Sequence, residues 1–177
     1  KNFLVVMKKT MLVCCLLLAF GTKAQNKWFQ GSLYSTSAYY LDDEKTGDFL
    51  EEDRFRSNNY LRLSGGIGKF SAGLQLEGYA PKALLNYSPN LDKEIGLGTY
   101  YLNYKTAKFD LRLGSVYDHF GSGLVLRFWE DKQLGIDNSL SGIRVNITPL
   151  TDLIITALYG KQRNGFDRSS GRIFGLN

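Results

Sequence analysis

The chain has 177 residues, a mass of 20.0 kDa and a formal net charge of +5. Residues 1–24 contain both cysteines, four of the 22 basic residues and none of the 17 acidic ones, so the net charge from residue 25 onward is +1. A near-neutral charge gives no support to a nucleic-acid-binding protein. Residues 25–177 contain no cysteine and one histidine, His119. Cysteine catalysis, disulfides and multi-histidine metal sites are therefore excluded there, and we expect no cofactor.

Residues 1–24 have the layout of a secretory signal peptide, preceded by a few upstream residues. Residues 1–6 precede Met7, which we interpret as the initiator and which Lys8 and Lys9 follow. An apolar run over 10–20 is too short to span a bilayer, and Ala24 provides the small residue before a cut. The alternative is an uncleaved membrane anchor. The sequence therefore predicts an exported protein with its domain at 25–177.

Alternation of apolar and polar residues recurs along the rest of the chain and predicts about eight strands. The predicted strands are 29–40, 60–67, 70–77, 97–105, 109–113, 143–147, 153–160 and 172–177. The turns at 68–69, 106–108 and 148–152 are short. The connections at 41–58, 80–94, 119–141 and 162–171 are long, so short and long connections alternate. In an antiparallel meander this places all the long loops at one end, which is typical of outer-membrane barrels.

The predicted fold is all-β, an antiparallel up-and-down transmembrane β-barrel. Leucines, isoleucines and valines occupy one face of each predicted strand, where they would contact lipid, and aromatic residues lie near the strand ends. The alternative is a secreted β-sandwich, whose strands also alternate. The last strand, 172–177, is short and does not end on the aromatic residue typical of complete barrels. We therefore expect the N-terminal portion of a larger barrel.

Charged residues on the other face of the strands are candidates for the barrel lumen. They are Arg62, Glu77, Arg112 and Arg144, with Asp110 and Asp118 among them and Arg54, Arg56 and Arg163 nearer the loops. Paired charges would fill the lumen as a structural ladder. Unpaired arginines would instead favour anionic solutes. Of the two, the ladder is the expectation.

The connection 119–141 is the main candidate for a functional loop. It carries Leu124, Val125 and Phe128, and a solvated loop would not expose so much apolar surface. We expect it to fold into the lumen and to form a mixed-charge constriction. The charged residues of that constriction would be Arg127, Glu130, Asp131 and Lys132. The alternative is an extra strand pair above the membrane with its charges in surface pairs.

Two further motifs carry weaker hypotheses. His119 and Ser122 supply the residue types of an outer-wall lipid hydrolase, but only a bulge at Gly121 would bring them within hydrogen-bond reach on a strand. The acidic segment 42–53 resembles a calcium loop, with Gly47 at its sixth position. Glu44 departs from that motif, so a solvated extracellular loop is preferred and no metal site is predicted. The alternative is a loop whose divalent ions bridge to lipopolysaccharide.

Several strings of the sequence resemble an uncharacterised outer-membrane β-barrel family of Bacteroidota. They are EDRFRSNNYL at 52–61, EGYAPKALLNY at 77–87, FGSGL at 120–124, WED at 129–131 and LGI at 134–136. The similarity covers nearly all of 25–177 and only the N-terminal part of longer family members. The resemblance implies an outer-membrane location. It implies no reaction, solute or catalytic residue.

The function predicted from the sequence is a non-enzymatic channel or transport component of the outer membrane. The alternative is a structural or docking barrel for an envelope or secretion partner, and an outer-wall lipid hydrolase comes third. The partners expected are outer-membrane lipid, lipopolysaccharide, a small solute and an envelope protein.

Overall fold

The structure is a computed structural model that describes residues 27–42, 45, 54–79, 81–84, 91 and 95–177. The predicted signal peptide lies outside these residues, as does most of the acidic segment 42–53. The described residues form strands without an α-helix, which confirms the all-β prediction. None of them belongs to a helix long and apolar enough to cross a membrane.

Eight strands of four to thirteen residues form the main sheet, and five shorter ones lie in the connections. The long strands are β1 (Lys27–Tyr39), β2 (Phe55–Ile67), β3 (Phe70–Gly78), β4 (Ile95–Lys105), β5 (Phe109–Val116), β10 (Leu140–Leu150), β11 (Leu153–Asn164) and β13 (Ile173–Leu176). The short ones are β6 (Asp118–Phe120), β7 (Leu126–Phe128), β8 (Glu130–Asp131), β9 (Ile136–Asp137) and β12 (Asp167–Arg168).

Each strand of the main sheet pairs antiparallel with its neighbour in an up-and-down order. The order is β1-β2-β3-β4-β5-β10-β11, and both β12 and β13 pair with β11, while β6–β7 and β8–β9 form separate hairpins. The predicted antiparallel meander is therefore confirmed. The barrel predicted from the sequence is not closed by the described strands: β1 and β13 do not pair with each other, so the sheet is open between them.

Short turns connect the strands at one end of the sheet. Gly68, with φ of 58°, closes the turn after β2, because a left-handed backbone suits glycine. The turn between β10 and β11 contains only residues 151 and 152, shorter than the predicted 148–152, because both strands extend further. The opposite end carries the connections 40–54, 79–94, 117–139 and 165–172. Short and long connections are thus segregated as predicted.

One face of the sheet, which we call the apolar face, carries rows of apolar side chains that cross all the main strands. One row passes through Phe29, Gly65, Ala72, Leu102, Leu113, Ile143, Tyr159 and Phe174. Leu102 and Tyr159 are 48% and 46% exposed. Soluble monomers rarely expose apolar surface that extends across a whole sheet. The exposed apolar side chains therefore favour contact between this face and another apolar surface.

The opposite face, which we call the polar face, is concave. Glu77 on β3 forms an ion pair with Arg163 on β11, four strands further along the sheet, at 2.6 Å between Oε2 and Nη2. In a flat sheet strands four steps apart would lie about 19 Å from each other, given a spacing of about 4.8 Å. Two side chains do not bridge that gap directly. The sheet is therefore strongly curled around its polar face.

The loops at the long-connection end cover part of the polar face with two apolar clusters. Tyr60, Tyr79, Ala83 and Leu91 form one, and Val116, Phe128, Leu140 and Leu158 form the other. Phe128 belongs to β7, so the β6–β7 hairpin packs against the inside of the curl. Buried apolar surface thus fixes this hairpin to the sheet by the hydrophobic effect.

Gly98 lies at an irregularity of β4 that makes room for a buried carboxylate. The β3–β4 register shifts between Gln75 and Leu76, which pair with Thr99 and Leu97 and leave Gly98 unpaired as a bulge. A Cβ at this position would overlap the carboxylate of Glu77. The missing side chain therefore lets Glu77 lie flat against the polar face.

Candidate functional site

The candidate site is a charged network on the concave polar face, centred on Glu77. Arg163 binds the Glu77 carboxylate with both terminal amines, at 2.9 Å from Nη1 to Oε1 and 2.6 Å from Nη2 to Oε2. Gln75 and Tyr79 donate to the same carboxylate at 2.9 Å and 2.8 Å. The side chains of Glu77 and Arg163 are 1% and 2% exposed. This bidentate pair joins two distant strands through charge-assisted hydrogen bonds.

The β8–β9 hairpin extends the network by reaching into the curl. Glu130 accepts from Arg62 at 2.9 Å and from Gln75 at 2.8 Å. From the following β9, Asp137 forms an ion pair with Arg163. Both contacts attach the long connection 117–139 to the sheet. This connection is therefore folded inward at 130 and 137.

Lys132 lies against the aromatic side of the network. Its ammonium group is 6.0 Å from the ring centre of Tyr34 and 5.4 Å from that of Tyr60. The hydroxyl of Tyr60 donates to the Lys132 carbonyl at 3.5 Å. Cation–π attraction of this kind holds a lysine without a carboxylate partner.

Arg112 and Arg144 face each other in register on β5 and β10, and their surroundings differ. Arg144 lies 3.3 Å from Asp110 and 3.4 Å from Asp118. Arg112 stacks on Tyr101, with 4.1 Å between the guanidinium carbon and the ring centre, and donates from Nε to the Ser115 carbonyl at 2.7 Å. One arginine is thus paired with carboxylates, and the other is held by a ring and a carbonyl.

The remaining two predicted site residues lie away from the network. Arg127 is exposed on β7 and stacks near Trp129, at 5.1 Å from its ring centre. Asp131 accepts from the amides of Gln133 and Leu134, which stabilises the turn between β8 and β9. The structure therefore brings Arg62, Glu77, Glu130 and Lys132 together and leaves Arg127 and Asp131 outside.

The expectation that apolar residues of the connection 119–141 are withdrawn from water is right for one end of the β6–β7 hairpin and wrong for its tip. Phe128 is buried, whereas Leu124 and Val125 are 91% and 93% exposed. Gly121 and Gly123 adopt positive φ and turn the chain at this exposed tip. The connection forms two hairpins. The alternative considered from the sequence was one strand pair with its charges in surface pairs, whereas Glu130 and Asp137 pair with arginines of the sheet.

Two tyrosines beside the network, both outside the main strands, have raised pKa values. Burial is the main cause for Tyr117, and the negative charge of Asp137, to which its hydroxyl donates at 2.8 Å, adds to it. Burial likewise raises the pKa of Tyr79, followed by the charge of Glu77. Both phenols therefore stay protonated and donate hydrogen bonds to these carboxylates.

Arg163 and Asp137 are central to the network, whereas the sequence placed Arg163 only nearer the loops and did not single out Asp137. The predicted strand 153–160 ended before Arg163, whereas β11 continues to Asn164. Asp137 belongs to a two-residue strand that has no detectable pattern. The charged residues of the long connections could have indicated that these segments contribute to the site. The sequence alone does not tell which of those residues turn inward.

The catalytic and metal motifs involve His119, Ser122 and the acidic segment 42–53. The backbone amide of His119 donates to the side chain of Asp118, and His119 pairs with Arg127 across the hairpin, but no hydrogen bond joins it to Ser122. Within the part of the chain that the structure describes, no three His, Cys, Asp or Glu residues form a metal cluster. Most of the acidic segment 42–53 lies outside that part.

The chain belongs to a family of unknown function, DUF6029, whose model matches residues 6–177. Comparisons with curated proteins and with solved structures give no match. The resemblance to an uncharacterised family is thus confirmed at the level of a family without an assigned function.

Proposed function

We propose that this member of the DUF6029 family is an exported outer-membrane protein whose described strands form part of a barrel wall. The observation that carries the proposal is a distribution of polarity opposite to that of a soluble protein. The charged network of Glu77 and Arg163 is buried on the concave side, while the rows of leucine, isoleucine and aromatic residues are exposed on the convex side. Lipid is the cover that such an apolar face fits.

The dimensions of the strands support the same proposal. β1, β2, β4, β10 and β11 contain 11 to 13 residues. A tilted strand needs about 9–11 residues to cross a bilayer. The polar ends of β2 and β11 then extend beyond the hydrocarbon, on the side of the long connections. Lipopolysaccharide is the expected partner at that surface.

Aromatic residues cluster at the short-turn end of the apolar face, where a membrane interface would lie. Phe70 and Tyr104 have ring centres 4.8 Å apart, and those of Tyr104 and Phe109 are 6.3 Å apart. Amphipathic rings are favoured at the level of the lipid headgroups. The cluster therefore supports a boundary of the hydrocarbon region near residues 70, 104 and 109.

Within that location, the function we propose is a non-enzymatic channel or transport component for a small solute. The polar face contains a cavity of about 420 Å³ beside Arg62, Tyr101 and Arg112. A docking barrel for an envelope or secretion partner is the second candidate, favoured by the exposed hairpin tip with Leu124 and Val125. Apolar tips of this kind are suited to burial against another protein.

The experiment has two steps. The full chain is mixed with phospholipid vesicles, and the vesicles are floated and analysed on gels with and without boiling. Co-flotation with heat-dependent mobility supports a membrane-inserted barrel protein. Protein that remains outside the vesicles and migrates identically after boiling contradicts it.

Planar-bilayer conductance of the inserted protein then separates the two candidates. Stepwise ionic currents support a channel. Stable insertion without current supports the docking barrel, and the double substitution of Leu124 and Val125 by serine should then leave insertion unchanged.

A further inference from the structure

The cavity on the polar face lies between the Glu77 network and the short turns. Its lining includes Trp28, Ser32, Ser64, Thr99, Tyr101 and Arg112. Hydroxyl groups and aromatic rings thus surround a guanidinium group. A volume of about 420 Å³ is within the range of small-molecule sites.

Four arginines of the polar face have different partners. Arg62 pairs with Glu130, Arg144 with Asp110 and Asp118, and Arg163 with Glu77 and Asp137. Arg112 is the exception: its bonds within the described residues are the stacking on Tyr101 and the donation from Nε to Ser115. Its two terminal amines donate to no protein acceptor there. Within the described residues, the charge of Arg112, like that of Lys132, is therefore not compensated by an ion pair.

We infer that Arg112 binds the anionic group of a small organic solute, a carboxylate or a phosphate, in this cavity. The inference rests on the proposed function, because it names the class of solute that such a channel or transport component would take. Two parallel hydrogen bonds from the terminal amines match the geometry of a carboxylate or phosphate. The stacking on Tyr101 and the bond to Ser115 hold the guanidinium plane before binding, so little side-chain freedom is lost.

The rest of the lining indicates what the anionic group is attached to. Ser32, Ser64 and Thr99 offer hydroxyls, which can donate or accept, and Trp28 offers an apolar ring. The nearby acid Glu130 is already bound to Arg62 and Gln75. A small anion with neutral polar groups fits this lining, whereas a cation meets the repulsion of Arg112.

The test is a fluorescence titration of the full chain folded in a non-ionic detergent. Trp129→Phe leaves Trp28 as the reporter, since Trp129 lies outside the cavity lining. The probes are succinate and inorganic phosphate, with glucose as the neutral and choline as the cationic probe. We expect a saturable change in Trp28 fluorescence with at least one anion, and a weaker or absent one with glucose and choline. Succinate alone or phosphate alone identifies the anionic group.

Three variants decide the role of Arg112. Arg112→Gln should weaken anion binding about tenfold or more, whereas Arg112→Lys should keep part of it as a point charge. Arg168→Gln is the matched control. Within the described residues Arg168 donates to the carbonyls of Phe166 and Asp167 and to no carboxylate, and it lies outside the cavity lining. The same circular dichroism and heat-dependent mobility show that each variant is folded.

The outcomes separate this inference from the proposed function. Anion binding that is equal in the parent protein and in folded Arg112→Gln overturns the inference, and so does the absence of a saturable change with both anions. Because the titration needs no bilayer, binding without insertion into vesicles would overturn the proposed function alone. Insertion without anion binding would overturn the inference alone.

Discussion

Arg163 carries a charge that is almost completely removed from water and is compensated by Glu77 and Asp137. Removing one member of a buried ion pair leaves the other charge uncompensated, which typically costs about 3–5 kcal/mol. We expect Arg163→Met to lower the free energy of unfolding by about that amount. Because Glu77→Gln removes the partner charge, the double variant should be more stable than Arg163→Met alone.

Urea unfolding in detergent, followed by tryptophan fluorescence, measures this cycle. Arg168→Met serves as the control, because Arg168 bonds to backbone carbonyls in a connection and not to carboxylates. A loss for Arg163→Met no larger than that for Arg168→Met would contradict the assignment of a structural ion pair.

Tyr117 predicts how stability changes at alkaline pH. Burial and the charge of Asp137 raise its pKa in the folded protein above the value of about 10 expected in the unfolded chain. A raised pKa means that the stabilising contribution is fully present below pH about 10 and decreases as the pH rises further. Phenylalanine at this position cannot ionise. The difference in free energy of unfolding between the parent protein and Tyr117→Phe should therefore decrease between pH 8 and pH 11.

The measurement is the difference in free energy of unfolding between the parent protein and Tyr117→Phe at each pH. Lysines also titrate in this range, but they do so in both proteins and cancel in the difference. A difference that stays constant up to pH 11 would show that Tyr117 ionises with similar ease in the folded and unfolded chains.

The two faces of β4 predict different effects of the same substitution at neighbouring positions. Leu102 and Asn103 are neighbours on β4, but Leu102 joins the apolar face and Asn103 the polar face. A lysine on the lipid face of a barrel costs about 2–4 kcal/mol at the bilayer midplane. In the proposed orientation, Leu102 lies between the interface and the midplane. We therefore expect Leu102→Lys to lower the free energy of unfolding in vesicles by about 1–2 kcal/mol, and Asn103→Lys to have a smaller effect.

Both variants add one positive charge at adjacent positions, so each is the control for the other. Urea titration of the vesicle-bound protein gives the two free energies. Equal decreases in the two free energies would mean that the apolar face does not contact lipid. That result would contradict the proposed location in the outer membrane.

Alternation predicted the existence of all eight main strands but not where they end. β2 begins at Phe55, five residues before the predicted strand, and β11 ends at Asn164, four residues after it. Apart from Phe55, the added segments 55–59 and 161–164 are polar on both faces, so the period of two disappears there. Such residues lie next to water or the charged network on both sides, and neither surrounding requires an apolar face.

The candidate site was less predictable than the strands, because its contacts join residues that are far apart in the sequence. Arg163 and Glu77 are 86 positions apart and meet only when the sheet curls. The sequence identified Arg62, Glu77, Arg112 and Arg144 as inward-facing, since alternation determines the face. It could not tell which arginine lacks a carboxylate, because Glu130 and Asp137 come from short hairpins without a pattern.

At the scale of the whole molecule, curl, polarity and aromatic positions together predict an orientation in the bilayer. Tyr104 belongs to the aromatic cluster at the short-turn end, and Leu102 lies on the same face two residues further from that turn. At about 3.3 Å per residue, the two positions differ by about 6–7 Å along the strand. Tyr104 should therefore lie near the headgroups and Leu102 deeper in the hydrocarbon.

Tryptophan scanning with brominated lipids tests this orientation. In a background with Trp28 and Trp129 replaced by phenylalanine, Tyr104→Trp should be quenched most by bromine close to the headgroups. Leu102→Trp should be quenched most by bromine deeper in the acyl chain, because β4 crosses the bilayer with its apolar face toward lipid. Asn103→Trp, on the polar face, should be quenched weakly at every depth. Equal quenching of the three positions would mean that the sheet does not cross the membrane with its convex side toward lipid.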